Sequence, residues 1–365
     1  MVDSRSWDWE PGEKKIPLDP WKAQYRWVEE AIASPDGEKV AAIVNIDEGE
    51  FNVCVNGQPW GDTVFDKIWH LRFSSDGRLT ALVSDMGEWT MAVDGQAWEN
   101  TFDYIWEPRF STDGKNIAAA VQKDMQYAMV LNGTPWERMF TNMTYFALSP
   151  DGHHTAGAVQ VEEADSGEIH KFQEGVFTAA MDGQPWDTRF VNVWNVTISP
   201  DGQHLAAEVR LSLYDYTIAV DGEPWASRYA TVWQPVFNPT NGAVVAPVRE
   251  KGQWALAQNG SILWDRRFVQ LWQQMFSPDG SRLAAIVAPS YGRWTVAVDG
   301  VPWTTTFSTM VSDVAFSQDG QRIAALAKDN ETYRVVVDGS PWSDAWDMAW
   351  KPVFSPDGSH VAAKV

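Results

Sequence analysis

Ser277-Pro-Asp-Gly280, Leu283-Ala-Ala-Ile-Val287, Trp294-Thr-Val-Ala-Val298, Asp299-Gly300 and Pro302-Trp303 follow one another in a single stretch, and their order decides the fold. The first four residues make a turn: Pro278 presets φ, Asp279 can bond the backbone beyond it, and Gly280 accepts positive φ. Leu283 to Val287 is a short apolar strand. Trp294 to Val298 alternates with a two-residue period into a second turn at Asp299-Gly300. Phe307 and Val314-Ala-Phe316 then lead to the next turn at Ser317. Four short strands per unit, with no helical period between the turns, predict one blade of a β-propeller.

The same unit recurs along the whole chain. The tetrapeptide ends at Gly37, Gly77, Gly114, Gly152, Gly202, Gly242, Gly280, Gly320 and Gly358. Between these turns stand the tryptophans of an (Asp/Asn)-Gly-x-Pro-Trp element: Trp60, Trp98, Trp136, Trp186, Trp225, Trp264, Trp303 and Trp342. The predicted class is all-β, a single propeller of four-stranded blades over residues 20–365, preceded by an arm over 1–19.

Small and large residues repeat in step. Alanine pairs recur at Ala41-Ala42, Ala118-Ala119, Ala206-Ala207, Ala284-Ala285, Ala324-Ala325 and Ala362-Ala363. Alanine is a poor strand former, so its recurrence predicts close approach of a large neighbour, for which the Pro-Trp indole is the natural choice. Four residues past that tryptophan come Phe102, Phe140, Phe190, Tyr229, Phe268, Phe307 and Trp346, with Phe65 one place later. Eight past it come Trp106, Trp194, Trp233, Trp272 and Trp350, with Trp69 shifted by one. Of the 22 tryptophans, all but Trp7, Trp9 and Trp27 follow the repeat. Richness in indole can signal carbohydrate stacking or electron hopping. Here the residues track the structural period, so packing between blades is the reading adopted.

The two ends of the chain are complementary. Pro20-Trp21 and Tyr25 match the close of a unit, and Lys15 to Leu18 is a candidate for part of the strand before it. The C-terminal PVFSPDGSHVAAKV supplies the first two strands of a unit. Paired, they would make a hybrid blade and remove exposed strand edges. Eight whole repeats and this hybrid make nine blades, the favoured count; eight blades with two strands left over is the alternative.

Function is sought where the repeat breaks. The longest unit carries an acidic insertion, Val161 to Phe177, whose Glu168, His170, Lys171 and Phe172 are candidate partner-docking residues. Trp7 and Trp9, on the charged arm, are candidates for the same role. Each has a plain structural reading as well, a solvated hairpin extension for the insertion and packing under the propeller for the arm. The Asn259-Gly-Ser-Ile-Leu-Trp264 variant and the lengthened Asn238-to-Gly242 turn read as drift.

The chemistry of catalysis is not written in the sequence. Nucleophile-elbow, phosphate-loop, zinc-protease and haem-attachment motifs are missing. His153, His204 and His360 occupy equivalent places after a turn, and the Asp of each tetrapeptide lacks the close-spaced oxygens a calcium loop needs. No catalytic, cofactor-binding or metal residue is therefore assigned, and no cofactor is expected. The net charge of −21 makes nucleic acid an unsuitable partner. One cysteine, Cys54, leaves no disulfide framework, and its default role is a small buried apolar one. No apolar run matches a membrane span, and MVDSRSWDWEPGEKK has no secretory core, so the expected location is cytoplasmic.

The stretch Phe276-Ser-Pro-Asp-Gly-Ser-Arg-Leu-Ala-Ala-Ile-Val287 resembles the WD-repeat-like propeller repeat of the TolB family. The likeness covers essentially the whole chain; the Asp-Gly-x-Pro-Trp element departs from it. In its tryptophan content and acidity the chain is also similar to the family of tryptophan-rich cytoplasmic subunits of the Tmc transmembrane redox complex of sulfate-reducing bacteria. That resemblance implies a cofactor-free accessory subunit, reaching the membrane through redox partners. The expected function is thus a non-catalytic protein-interaction scaffold. The alternative is a sugar- or peptide-binding, or hydrolytic, propeller acting at the central channel.

Overall fold

The structure, a computed structural model, describes residues 13–29, 31–164 and 167–365. The expected Trp7 and Trp9 lie outside the described residues. Among the described residues the strands form nine antiparallel sheets, the number of tetrapeptide turns, in the blade pattern of an all-β propeller. The chain packs as two compact units, Met1–Gln160 with Ala180–Pro185, and Val161–Ala179 with Trp186–Val365.

In the second unit one sheet shows how the sequence builds each of them. Its strands are Gln270–Phe276, Leu283–Ser290, Arg293–Val298 and Val301–Pro302, hydrogen-bonded in that order. In the turn between the first two, Ser277 Oγ donates to Asp279 Oδ1 at 2.5 Å, and the Ser281 N–H donates to the same oxygen at 3.1 Å. Ser277 Oγ in turn accepts from the Arg282 N–H at 3.0 Å. The Asp299-Gly300 turn is closed by the side chain: the Leu283 N–H donates to Asp299 Oδ1 at 2.8 Å. Left-handed φ at Asp299 and Gly300 gives the primed turn that a two-residue hairpin favours.

The first unit repeats this plan. Lys67–Phe73, Leu79–Asp85, Glu88–Val93 and Gln96–Ala97 form one sheet, and Tyr104–Phe110, Ile117–Lys123, Gln126–Leu131 and Thr134–Pro135 the next. In each unit the core lies between consecutive sheets. Trp264 clusters with Ala285, Trp303 with Ala325, Trp60 with Ala81 and Trp21 with Ala42. The small member of the alanine position thus makes room for the indole of the preceding repeat, as the sequence predicts. The glycine of the second turn does so too: a Cβ on Gly339 would lie 3.0 Å from Trp303 Cγ.

The aromatic rows divide into two kinds. Phe102, Phe140, Phe190, Phe268 and Phe307 are buried, and each bridges the start of its own third strand; the Phe307 and Trp294 N–H groups each donate to the other's carbonyl at 2.8 Å. The tryptophans eight places past the Pro-Trp site differ from expectation. They stack mainly within a sheet, first strand on third, as Trp233 on Trp254 (4.0 Å between centroids) and Trp272 on Trp294 (4.6 Å). Links to a neighbouring sheet are fewer, Trp233–Trp272 and Trp106–Phe146 among them. Stripes this wide do not fit wholly between sheets, and Trp69 and Trp350 remain half-exposed.

The N-terminal segment departs from the predicted strands. Lys15 to Leu18 is irregular, and a short helix α1, Asp19–Gln24, stands where a fourth strand was expected. Pro17 lacks an N–H for a ladder, and Pro20 sits in the first helical turn, where its fixed φ suits a helix. Trp21 is buried nonetheless, with Ile16 and Leu18 packed against its cluster. The C-terminal sheet has two strands, Val353–Phe354 and Val361–Ala362.

Candidate functional site

Two features stand outside what the fold needs: apolar hairpin tips, and a polar row on the first strands. The hairpin joining second to third strand ends in solvent. Met86 and Met125 top two of these hairpins in the first unit, 92% and 76% exposed. In the second unit Leu213, Tyr214 and Tyr291 do the same, and Tyr291 is 94% exposed. A turn of this kind requires glycine or a polar residue with positive φ, and it has no use for a methionine or tyrosine side chain. Within each unit an exposed apolar group at such a tip is a candidate contact point.

The insertion belongs to the same class of connection. It folds as helix α2, Ile169–Glu174, with no buried residue. Its neck is tied where the Val161 N–H donates to the Val176 carbonyl at 2.9 Å. The candidate residues come together here: Glu168 pairs with Lys171 at 3.0 Å, His170 is exposed and Phe172 half-buried. Ile169, 63% exposed, joins them and was not singled out, since the stretch reads as an acidic loop with no helical period.

The polar row arises from a bulge. On the first strand of each regular sheet the register shifts after the aromatic position, as between Trp69 and Arg72, Trp194 and Thr197, and Trp272 and Met275. The residue in the bulge takes left-handed φ although it is not glycine: His70, Glu107, Tyr145, Asn195, Gln273 and Asp313. A bulge re-aims the side chain it carries, and backbone held in this region is found at functional sites. The signal was present in the sequence, for in Trp-His, Trp-Glu, Trp-Asn and Trp-Gln a polar residue always follows the row of tryptophans.

Cavities open beside this row. In the second unit one of about 410 Å³ is lined by Asn195, Gln234, Gln273 and Gln274 with Trp233 and Trp272. In the first unit Glu29, Trp69 and His70 help line another of about 400 Å³.

The equivalent places after the turns are those of His154, His204 and His360, not His153; His154 and His204 each hold an aspartate, Asp182 or Asp221, at 2.7 Å through Nδ1. The Asp221 hydrogen bond raises the His204 pKa. The tetrapeptide carboxylates shift the other way; donation from Ser277, then Ser281, holds Asp279 down to about 2. Cys54 is buried beside Tyr25 in the cluster of Trp21. Among the described residues no three metal-ligating side chains gather in one place, and no helix is long and apolar enough to cross a membrane.

No family model and no curated protein matches the chain. Among solved structures it is similar to a eukaryotic initiation factor, with a TM-score of 0.52 at 13% identity over 88% of each chain. It is also similar to the Dos1 propeller, with a TM-score of 0.43 at 12% identity over 81% of this chain and 88% of that one. At such identity a likeness speaks for the fold alone; the sheet pattern described above is that of an all-β propeller.

Proposed function

We propose that the protein is a non-catalytic interaction scaffold, an accessory subunit that docks the soluble face of a membrane-associated electron-transfer assembly. The observation that carries the reading is the set of apolar hairpin tips, Met86, Met125, Leu213, Tyr214 and Tyr291, with Ile169 on the insertion. Tyr214 and Tyr291, with two side-chain torsions each, lose little conformational freedom on binding, which suits them to anchor a partner. The propeller fold is a common platform for protein docking, and the charge of −21 favours encounter with a basic partner face. The electron-transfer context rests on the resemblance of the tryptophan-rich, acidic repeats to the Tmc subunit family.

Affinity purification from native membranes tests this reading. Redox subunits are expected to co-purify with the wild-type chain and to be lost when Tyr214, Tyr291 and Ile169 are changed together to serine. A chain recovered alone and monomeric from both membrane and soluble fractions would contradict it.

A further inference from the structure

Glu208 stands where the sheet has no need of a carboxylate. Its counterparts in seven other repeats are Ile43, Leu82, Ala120, Ala158, Pro247, Ile286 and Leu326, and in the C-terminal repeat the exposed Lys364. It is 8% exposed and points with Ala206 and Ile218 toward a cluster made of Val232, Val244, Ala246 and Val248. Across the ladder it faces Trp194 on one side and Ile218 on the other, and no charged group of these strands acts on it. Its hydrogen-bond donor is Asn195 Nδ2, 3.0 Å from Oε2, and Oε1 has none among the described residues. A carboxyl taken out of water without compensation is costly, so such a group is retained for a use.

Asn195 joins Glu208 to the cavity of about 410 Å³ described above. The amides there are oriented. Asn195 turns its N–H to Glu208, and Gln274 Nε2 donates to the Gln234 carbonyl at 2.5 Å. Their oxygens, Asn195 Oδ1 and Gln274 Oε1, accept from no protein donor among the described residues. Gln274 is itself buried, 7% exposed. Two indoles, Trp233 and Trp272, complete the lining with centroids 6.1 Å apart. The cavity therefore offers amide oxygens and π-faces, the Asn195 and Gln274 amino groups are turned to Glu208 and to the Gln234 carbonyl, and the Glu208 carboxyl lies behind Asn195. A planar, donor-rich cation has the complementary chemistry.

We propose that this cavity binds a guanidinium group, stacked on Trp233 or Trp272 and hydrogen-bonded to the oxygens of Asn195 and Gln274, with the Glu208 carboxylate behind Asn195 supplying the opposite charge. The group arrives either on a small molecule or on an arginine side chain of a protein partner; the chemistry at the site is the same. This goes beyond the scaffold reading and does not depend on it.

Calorimetric titration of the full chain with arginine amide, and with citrulline amide as its uncharged isostere, tests the proposal. Arginine amide is expected to bind saturably and at least tenfold more tightly than citrulline amide. Because burial pushes the Glu208 carboxyl up to about 7, binding should tighten about tenfold from pH 6 to pH 8 as the fraction of ionised sites rises. Glu208→Gln should remove both the preference and the pH dependence. Glu208→Leu places an apolar residue there as in most other repeats, and a thermal melt no lower than that of the wild type shows that loss of binding is not loss of fold. Acetyl-Ala-Arg-Ala-amide separates the sources: binding equal to arginine amide assigns a partner's side chain, and failure of the peptide alone assigns a small molecule. Absence of arginine amide binding at millimolar concentration, equal binding of citrulline amide, or an unaltered Glu208→Gln variant would each overturn the proposal.

Discussion

Substituting alanine for two glycines of one sheet separates the strain of a turn from the packing between sheets. Gly87 and Gly95 have nearly the same conformation, with φ of +85° and +83°. Alanine at either position meets the same left-handed penalty, about 1–2 kcal/mol. Their surroundings differ. A Cβ on Gly87 has open space around it, while one on Gly95 overlaps the Trp60 carbonyl oxygen and lies 3.3 Å from its carbon. That obstacle is backbone of the preceding repeat, which cannot rotate aside. Overpacking of this kind adds about 1–3 kcal/mol. Gly95→Ala should therefore be less stable than Gly87→Ala by that added amount, read from urea midpoints at constant slope. Circular dichroism and tryptophan fluorescence recorded together show whether the transition remains a single one. Equal destabilisation by the two variants would refute the claim that the second turn is held against the indole segment before it.

Other expectations follow from the same contacts. Glu208→Gln should stabilise the protein by up to about 3 kcal/mol at pH 8.5 and by nothing at pH 4, measured by urea unfolding. The sign is fixed because a carboxyl raised from 4.5 to about 7 favours the folded state fully below 4.5 and loses that contribution as pH climbs through 7. Trp264→Ala, which empties a buried site against Ala285, should cost about 3–5 kcal/mol, whereas Trp350→Ala, half-exposed, should cost far less. Ser277→Ala should move the Asp279 pKa upward toward the ordinary carboxylate range, since the serine hydroxyl is the foremost cause of its depression; carboxyl carbon chemical shifts report it directly.

Much of the fold was legible because the packing is periodic. A tetrapeptide turn, an Asp-Gly turn and a Pro-Trp site each leave a fixed mark on the sequence, and each contact between successive sheets repeats it. Strand order and the facing of Trp264 on Ala285 follow from that period alone. The N-terminal helix was not legible, since Pro20-Trp21 is written as in most repeats. Among the described residues no third strand and turn precede it to pair with, and a two-residue fourth strand is held only by that pairing. The stacking of Trp233 on Trp254 was hidden for a related reason. Residues far apart in sequence meet on one face only once the second strand is laid between them.

The candidate sites were less legible. The bulge that turns out Asn195 and Gln273 depends on register, which composition does not reveal. Glu208 differs from its counterparts by one residue in an apolar strand, and only its burial gives that difference meaning. The insertion was visible as extra length, but its exposed Ile169 takes on significance beside Tyr214 and Tyr291, which lie on hairpins of ordinary length.

The scaffold assignment is tested most directly by site-specific photo-cross-linking in native membranes. A photoreactive amino acid replacing Tyr291, at a hairpin tip, should join the chain to a redox subunit, while the same group replacing the exposed Ser340 on a fourth strand should not. Equal labelling from the two positions, or none from Tyr291, would contradict the account.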